Sequence, residues 1–172
     1  MHLILGVITV LAAWRYGDWR HWQRYHHTMM FIVIGNLLYN FLTAGHFLWK
    51  LKPDFFPNHS LTEMVYTFVI FPATALMFIS NYPDRSNKII GHYARYIGVY
   101  VGVEWLFMLT DRIVYQYGWS LGWSIFFDFT MFPLLWIFHR RPLVAYGITF
   151  VLSAFYVWYF KIPLNVPVEQ RN

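Results

Sequence analysis

The 172-residue sequence contains no cysteine. Disulfide scaffolds, thiolate zinc sites and iron–sulfur clusters are therefore excluded. It is also short of charge: Asp, Glu, Lys and Arg make up 12% of the chain, about half of what a soluble domain carries. There is no glycine-rich phosphate loop, serine nucleophile elbow or paired-histidine zinc helix, so no motif of soluble-enzyme chemistry and no cofactor is implied. The basic residues leave a net charge of +5 but stand singly between apolar runs. They form no stripe, and nucleic acid is not an expected partner.

What is present is hydrophobic (58%) and aromatic (23%). Such a composition excludes disorder and predicts that the lipid bilayer is the surrounding medium. A helix needs about 20 mostly apolar residues to cross a hydrocarbon core of about 30 Å. Five stretches meet that length: Thr28 to Trp49, Thr62 to Tyr82, Tyr93 to Tyr115, Ser120 to Phe138 and Leu143 to Phe160. A sixth, His2 to Tyr16, is short for a full crossing and lacks the basic flank and small-residue cleavage site of a removable signal. The expectation is one all-α domain over residues 1–172, a polytopic transmembrane bundle of six helices, or five if the first does not span. The apolar runs are too long and continuous for a transmembrane β-barrel.

Proline and glycine supply the breaks. Pro53 and Pro57 follow the second helix, and Ser60, Leu61, Thr62 and Glu63 read as a capping box opening the third, which accounts for Glu63 and for Ser60 in the acceptor-like Asn58-His59-Ser60. Pro83 and Asp84 stop the third helix. Gly118 marks a short turn that makes the fourth and fifth antiparallel neighbours. Pro142 and Pro163 bracket the sixth, and the tail from Asn165 is expected to fray. With six helices, one side of the membrane holds Arg15, Arg20, Arg24, Arg85, Lys88, Arg95, Arg140 and Arg141; the other holds Lys50, Lys52, Arg112, Lys161 and Arg171. The richer side is the cytoplasmic one, so both termini face outward. Trp14, Trp19, Trp22 and Trp136 at inner ends, and Trp49, Trp119, Trp123 and Trp158 at outer ends, form interfacial belts.

Inside a bilayer an ionised carboxylate costs at least about 2.5 kcal/mol, so such residues face protein or water. Glu104 and Asp128 lie near the centres of the fourth and fifth helices, at similar depth. Tyr100, Glu104 and Asp111 share one face, Ser120, Ser124 and Asp128 share another, and Asn36, Asn40 and Thr43 add polar groups from the second helix. The expected interior site is Glu104, Asp128, Asn36 and Asn40, open outward toward His46, Asp111 and Arg112. Two carboxylates brought together in low dielectric share a proton, which suits proton or cation handling. The alternative is that the polar groups hold helices together, with Arg112 neutralising a carboxylate. Ala94, Gly98 and Gly102 form a small-residue stripe suited to close helix packing. His26, His27, His92 and His139 gather near inner ends without a recognised ligand spacing, so no metal is assigned. The basic and aromatic segment from Arg15 to His27 reads as an interfacial loop on anionic lipid.

The order Phe71-Pro72, Tyr82-Pro83, Val103-Glu104-Trp105, Thr110-Asp111 and Tyr117-Gly118-Trp119, spread over residues 68–140, resembles an uncharacterised family of small multi-pass membrane proteins from spore-forming Gram-positive bacteria. The resemblance implies a bacterial cell-membrane protein and lends no substrate or catalytic residue. Two functions are in view: a small binding or transport component with an acidic pocket for a proton, cation or polar solute, or a non-catalytic scaffold that assembles with itself or another membrane protein through the small-residue face. A membrane-embedded enzyme ranks below both, because the one acid–base pair lacks a nucleophile or metal partner.

Overall fold

The computed structural model describes residues 1–171. Six helical rods run back and forth between two ends: α1 (His2–Tyr16), α2 (His26–Leu42), α3 (His59–Ser80), α4 (Ser86–Leu109), α5 (Leu121–Arg140) and α6 (Pro142–Tyr159). Three of them, α3, α5 and α6, are long and apolar enough to cross a membrane, with mean hydropathies of 1.6, 1.5 and 1.4. Among the others, α1 is apolar but only 15 residues long, and α2 has 17. The 24 residues of α4 rise about 36 Å, but they include Lys88, His92, Arg95 and Glu104.

The alternation is fixed by contacts at the two ends. At one end the Asn81 side chain donates to Tyr16 O (2.8 Å), Ser80 Oγ accepts from the Asp18 amide, and Thr28 Oγ1 pairs with His139. At the other, Met1 pairs with Asp54, Lys52 with Asp111, and Arg171 donates to Leu42 O and Ala44 O at the end of α2. Both described termini lie at this second end. The tail is therefore tied down, not frayed: the Arg171 guanidinium binds the unpaired carbonyls where the negative end of the α2 dipole lies. A Cβ on Gly45 would come within 2.7 Å of Arg171 Cβ, so the tail crosses the turn that follows α2 where only glycine fits.

The helices end earlier than the apolar runs. The second stops at Leu42 and the fourth at Leu109, because the apolar residues beyond them pair with one another: β1 (Trp49–Leu51) and β2 (Ile113–Tyr115) form an antiparallel ribbon with Lys50 opposite Val114. The Lys52 amide to Arg112 O and the Gln116 amide to Leu48 O extend it. The connection from α4 to α5 is thus a strand flanked by turns, with Asp111, Tyr117 and Gly118 at positive φ, and not a short turn at Gly118. The all-α expectation gains this small ribbon, which closes the second end.

The third helix is the hub, and most of its apolar window is buried. Pro72 has no N–H and its ring would crowd the carbonyl four residues back. Tyr66–Ile70 take up the wider π-helical turn, in which the Phe71 amide bonds Tyr66 O five residues back, and the helix continues through the proline. The capping box is not formed: Asn58 is the N-cap, its side chain accepting from the Leu61 amide (2.9 Å), and Glu63 is buried. Leu76, Phe78, Phe132 and Leu135 have little or no exposure and form the centre of the packing, while Gly6 lets α1 approach Val65 of α3 closely.

Outward the bundle is apolar. Ile4, Val7, Ile8 and Leu11 on α1, Phe41 on α2, Phe68 on α3, Val99 on α4, Phe129 on α5 and Phe150 and Val151 on α6 are all more than half exposed. Buried carboxyl groups inside and a continuous apolar exterior invert the pattern of a water-soluble bundle.

Candidate functional site

Glu104 points from α4 toward the start of α5 and the ribbon. Its Oε1 accepts from Tyr115 Oη and from Ser124 Oγ, each at 2.5 Å. Ser124 Oγ in turn accepts from Trp119 Nε1 (2.9 Å). Trp119 is therefore a buried hydrogen-bonding residue, not a belt anchor. Trp49 also packs inward, stacked on Tyr39 at 3.9 Å.

Asp128 lies one turn along α5 from Ser124, within electrostatic range of Glu104, and is 5% exposed. Its Oδ2 makes no hydrogen bond among the described residues. The same is true of Tyr100 Oη on α4 and Tyr156 Oη on α6, both of which lie in range of Asp128. Thr74 of α3 stands beside Tyr100, and Thr130 beside Tyr156. Polar groups from four helices thus converge around Asp128. Among the described residues the ion pairs are Met1–Asp54, His21–Asp18 and Lys52–Asp111, none of which reaches Glu104 or Asp128.

Asn36 and Asn40 do not join this pair. They stand beside the carboxyl group of Glu63, where Asn36 Nδ2 also donates to Thr67 Oγ1 (2.8 Å) and Asn40 Nδ2 to Asn36 O (2.9 Å). Thr67 Oγ1 donates to Glu63 O, and Tyr39 and Tyr66 flank the group electrostatically. Glu63 is a third interior carboxyl group that its expected capping role concealed. The signal was present: Glu63, Thr67 and Thr74 fall on one face of the third helix by spacings of four and seven, the same rule that marked Ser124 and Asp128.

The outward mouth is also rearranged. Asp111 is exposed and bonds Lys52 Nζ (2.5 Å). Arg112 makes no ion pair among the described residues, so it neutralises neither Asp111 nor an interior carboxylate. His46 stacks on Tyr117 with ring centroids 3.4 Å apart, and burial pushes its imidazole below the ordinary histidine value. Its buried Nε2 has no partner among the described residues. Asp54 binds Met1 and the amides of His2 and Phe55; burial opposes ionisation, but these donors win and hold its carboxyl at about 2.

Ala94, Gly98 and Gly102 lie on the exposed side of α4, and a Cβ built on either glycine meets nothing within 4 Å. The stripe makes no close helix contact within the chain. At the basic end His27 stacks on His139 (4.9 Å), His26 meets Trp22, and His92 Nε2 bonds Phe78 O (3.0 Å). Among the described residues no group of three or more His, Cys, Asp or Glu side chains is placed to hold a metal ion.

Grooves indent the surface. One of about 380 Å³ lies beside Gly122, Trp123 and Phe155; one of about 210 Å³ lies among α1, α2 and α3 and includes Trp19, Met29 and Phe68. Neither is lined by Glu63, Glu104 or Asp128. Comparison of the chain with protein families, with characterised proteins and with solved structures finds no match in any of the three. Its function is therefore argued from geometry.

Proposed function

We propose that the chain is a six-helix protein of a bacterial cell membrane, with both termini outside, that binds and passes protons through the Glu104–Asp128 pair. The observation that carries this reading is the pairing of two interior carboxyl groups that make no ion pair among the described residues, one of which leaves an oxygen unbonded there, next to two tyrosine hydroxyls likewise unbonded. Carboxyl groups placed only to hold helices together are expected to have their hydrogen bonds satisfied, because each unmet polar atom costs about 1–3 kcal/mol. A proton needs no open cavity, and the pair lines neither of the two grooves described above. The remaining helices, α1, α2 and α4, complete the crossing in this reading: α4 has the length, and its hydropathy is lowered by the partly buried His92 and Glu104 and by the exposed Lys88 and Arg95. The basic end, with Arg20, Arg24, Arg85, Arg140 and Arg141 exposed, is the cytoplasmic one.

The test is reconstitution into liposomes enclosing a pH-sensitive dye, with potassium and valinomycin to compensate charge. Wild type is expected to collapse an imposed pH gradient at least about tenfold faster than Glu104→Gln, a loss corresponding to about 1.4 kcal/mol in the barrier. Equal rates contradict the proposal.

A second reading, assembly through α4, draws on the open face at Gly98 and Gly102. Small residues on a lipid-facing helix let another helix approach closely. Gly98→Leu with Gly102→Leu is expected to dissociate an oligomer under this reading and to leave proton flux per chain unchanged under the first.

A further inference from the structure

Beyond the Glu104–Asp128 pair, α4 carries a line of exchangeable side chains along half of its length. His92, Tyr96, Tyr100 and Glu104 recur every four residues, so they share one face and span about 18 Å of rise. That face is turned into the bundle. His92 lies against Phe78 (ring centroids 4.8 Å apart) and Tyr96 (5.0 Å), Tyr96 and Tyr100 both lie against Phe132 of α5 (5.8 and 5.2 Å), and Glu104 is bonded from α5 and the ribbon. Ala94, Gly98 and Gly102 occupy the outer side, so the line does not face lipid.

The two ends of the line differ. At the outer end Tyr115 and the Trp119–Ser124 pair close over Glu104. At the basic end His92 is partly exposed, with Nε2 on Phe78 O and Nδ1 making no hydrogen bond among the described residues. Between them lie the unbonded Tyr100 Oη and Asp128 Oδ2. Successive positions on such a face are about 6 Å apart. A single hydrogen bond of about 2.8 Å does not reach that far, but two of them through one bridging water do.

We propose that this face of α4 is a proton wire running from Glu104 and Asp128, through Tyr100 and Tyr96 with bridging water, to His92 at the cytoplasmic end. Tyr100 is the relay. As a proton arrives on its oxygen from the Asp128 side, its own proton leaves to water on the Tyr96 side. One O–H bond forms as another breaks, the phenol is regenerated, and no oxidant or co-reactant is needed.

The inference rests on the proton-handling reading and is tested separately from it. In the same liposomes, Tyr100→Phe and Tyr96→Phe keep each ring and remove the hydroxyl. Each is expected to slow gradient collapse at least about tenfold, with the thermal midpoint in detergent held close to wild type as the check on folding. Tyr146→Phe, at the lipid-facing side, is expected to match wild type. If Glu104→Gln abolishes flux while Tyr100→Phe and Tyr96→Phe both run at the wild-type rate, the wire is overturned and the carboxyl site stands. If wild-type liposomes are no faster than empty ones, the carboxyl reading falls and the wire with it.

Discussion

Replacing Glu104 in two ways separates its structural role from its chemical one. In Glu104→Gln the side-chain oxygen remains, so the bonds from Tyr115 and Ser124, both 2.5 Å long, have an acceptor in the same place. In Glu104→Ala both are lost at once. A neutral hydrogen bond contributes about 0.5–1.5 kcal/mol and one to a charged group about 1.5–3. Two lost bonds, with the Tyr115 hydroxyl left unmet, therefore cost about 2–4 kcal/mol, whereas the amide costs below about 1 kcal/mol. For a chain of this length 1 kcal/mol moves the thermal midpoint by about 2–4 °C. In detergent the alanine variant is expected to melt about 4–16 °C below wild type, and the glutamine variant within about 4 °C of it. The measurement is thermal unfolding followed by circular dichroism. If glutamine destabilises as much as alanine, the negative charge itself holds the structure and an unrecognised cation must face it. If neither destabilises, the bonds from Tyr115 and Ser124 are not formed.

Other consequences concern packing and the ends. Phe132 is fully buried against Phe78, Tyr96 and Tyr100, so Phe132→Ala is expected to cost about 3–5 kcal/mol in the same melting assay. Asn58→Ala removes the cap of α3 and is expected to cost about 1 kcal/mol, while Ser60→Ala leaves the midpoint within about 0.5 kcal/mol of wild type; the reverse order would restore the capping box. Asp54 is held at about 2 against an ordinary 3.8. Because the folded value is the lower one, its stabilising contribution is complete above the ordinary value and fades as pH falls through the folded one. Amide exchange at His2 and Phe55 is expected to lose protection between about pH 4 and pH 2, and Asp54→Asn is expected to remove that pH dependence.

The helices and their alternation were legible because long apolar runs broken by proline leave few other arrangements. The polar stripe of Ser124 and Asp128, and the depth match with Glu104, followed from helical spacing alone. The ribbon was not legible. Trp49–Leu51 and Ile113–Tyr115 follow helices of apolar character, and only their pairing across 64 residues of sequence makes them strands (Lys50 to Val114). Glu63 was obscured by a local pattern: Ser60 and Glu63 satisfy the capping-box spacing, but Asn58 stands better placed to cap, and burial beside Asn36 and Asn40 is a tertiary fact that spacing does not contain. The same applies to Arg171, whose polar surroundings suggested a loose tail, whereas its guanidinium reaches carbonyls more than a hundred residues away.

The account holds that Glu104 and Asp128 act as one proton site, so the most direct measurement is the rate of pH-gradient collapse in liposomes containing wild type, Glu104→Gln, Asp128→Asn or the double variant. If they form one site, each single variant and the double variant fall to the same floor, that of empty vesicles. Wild-type flux equal to that floor, or a double variant whose loss is the product of two independent partial losses, would contradict it.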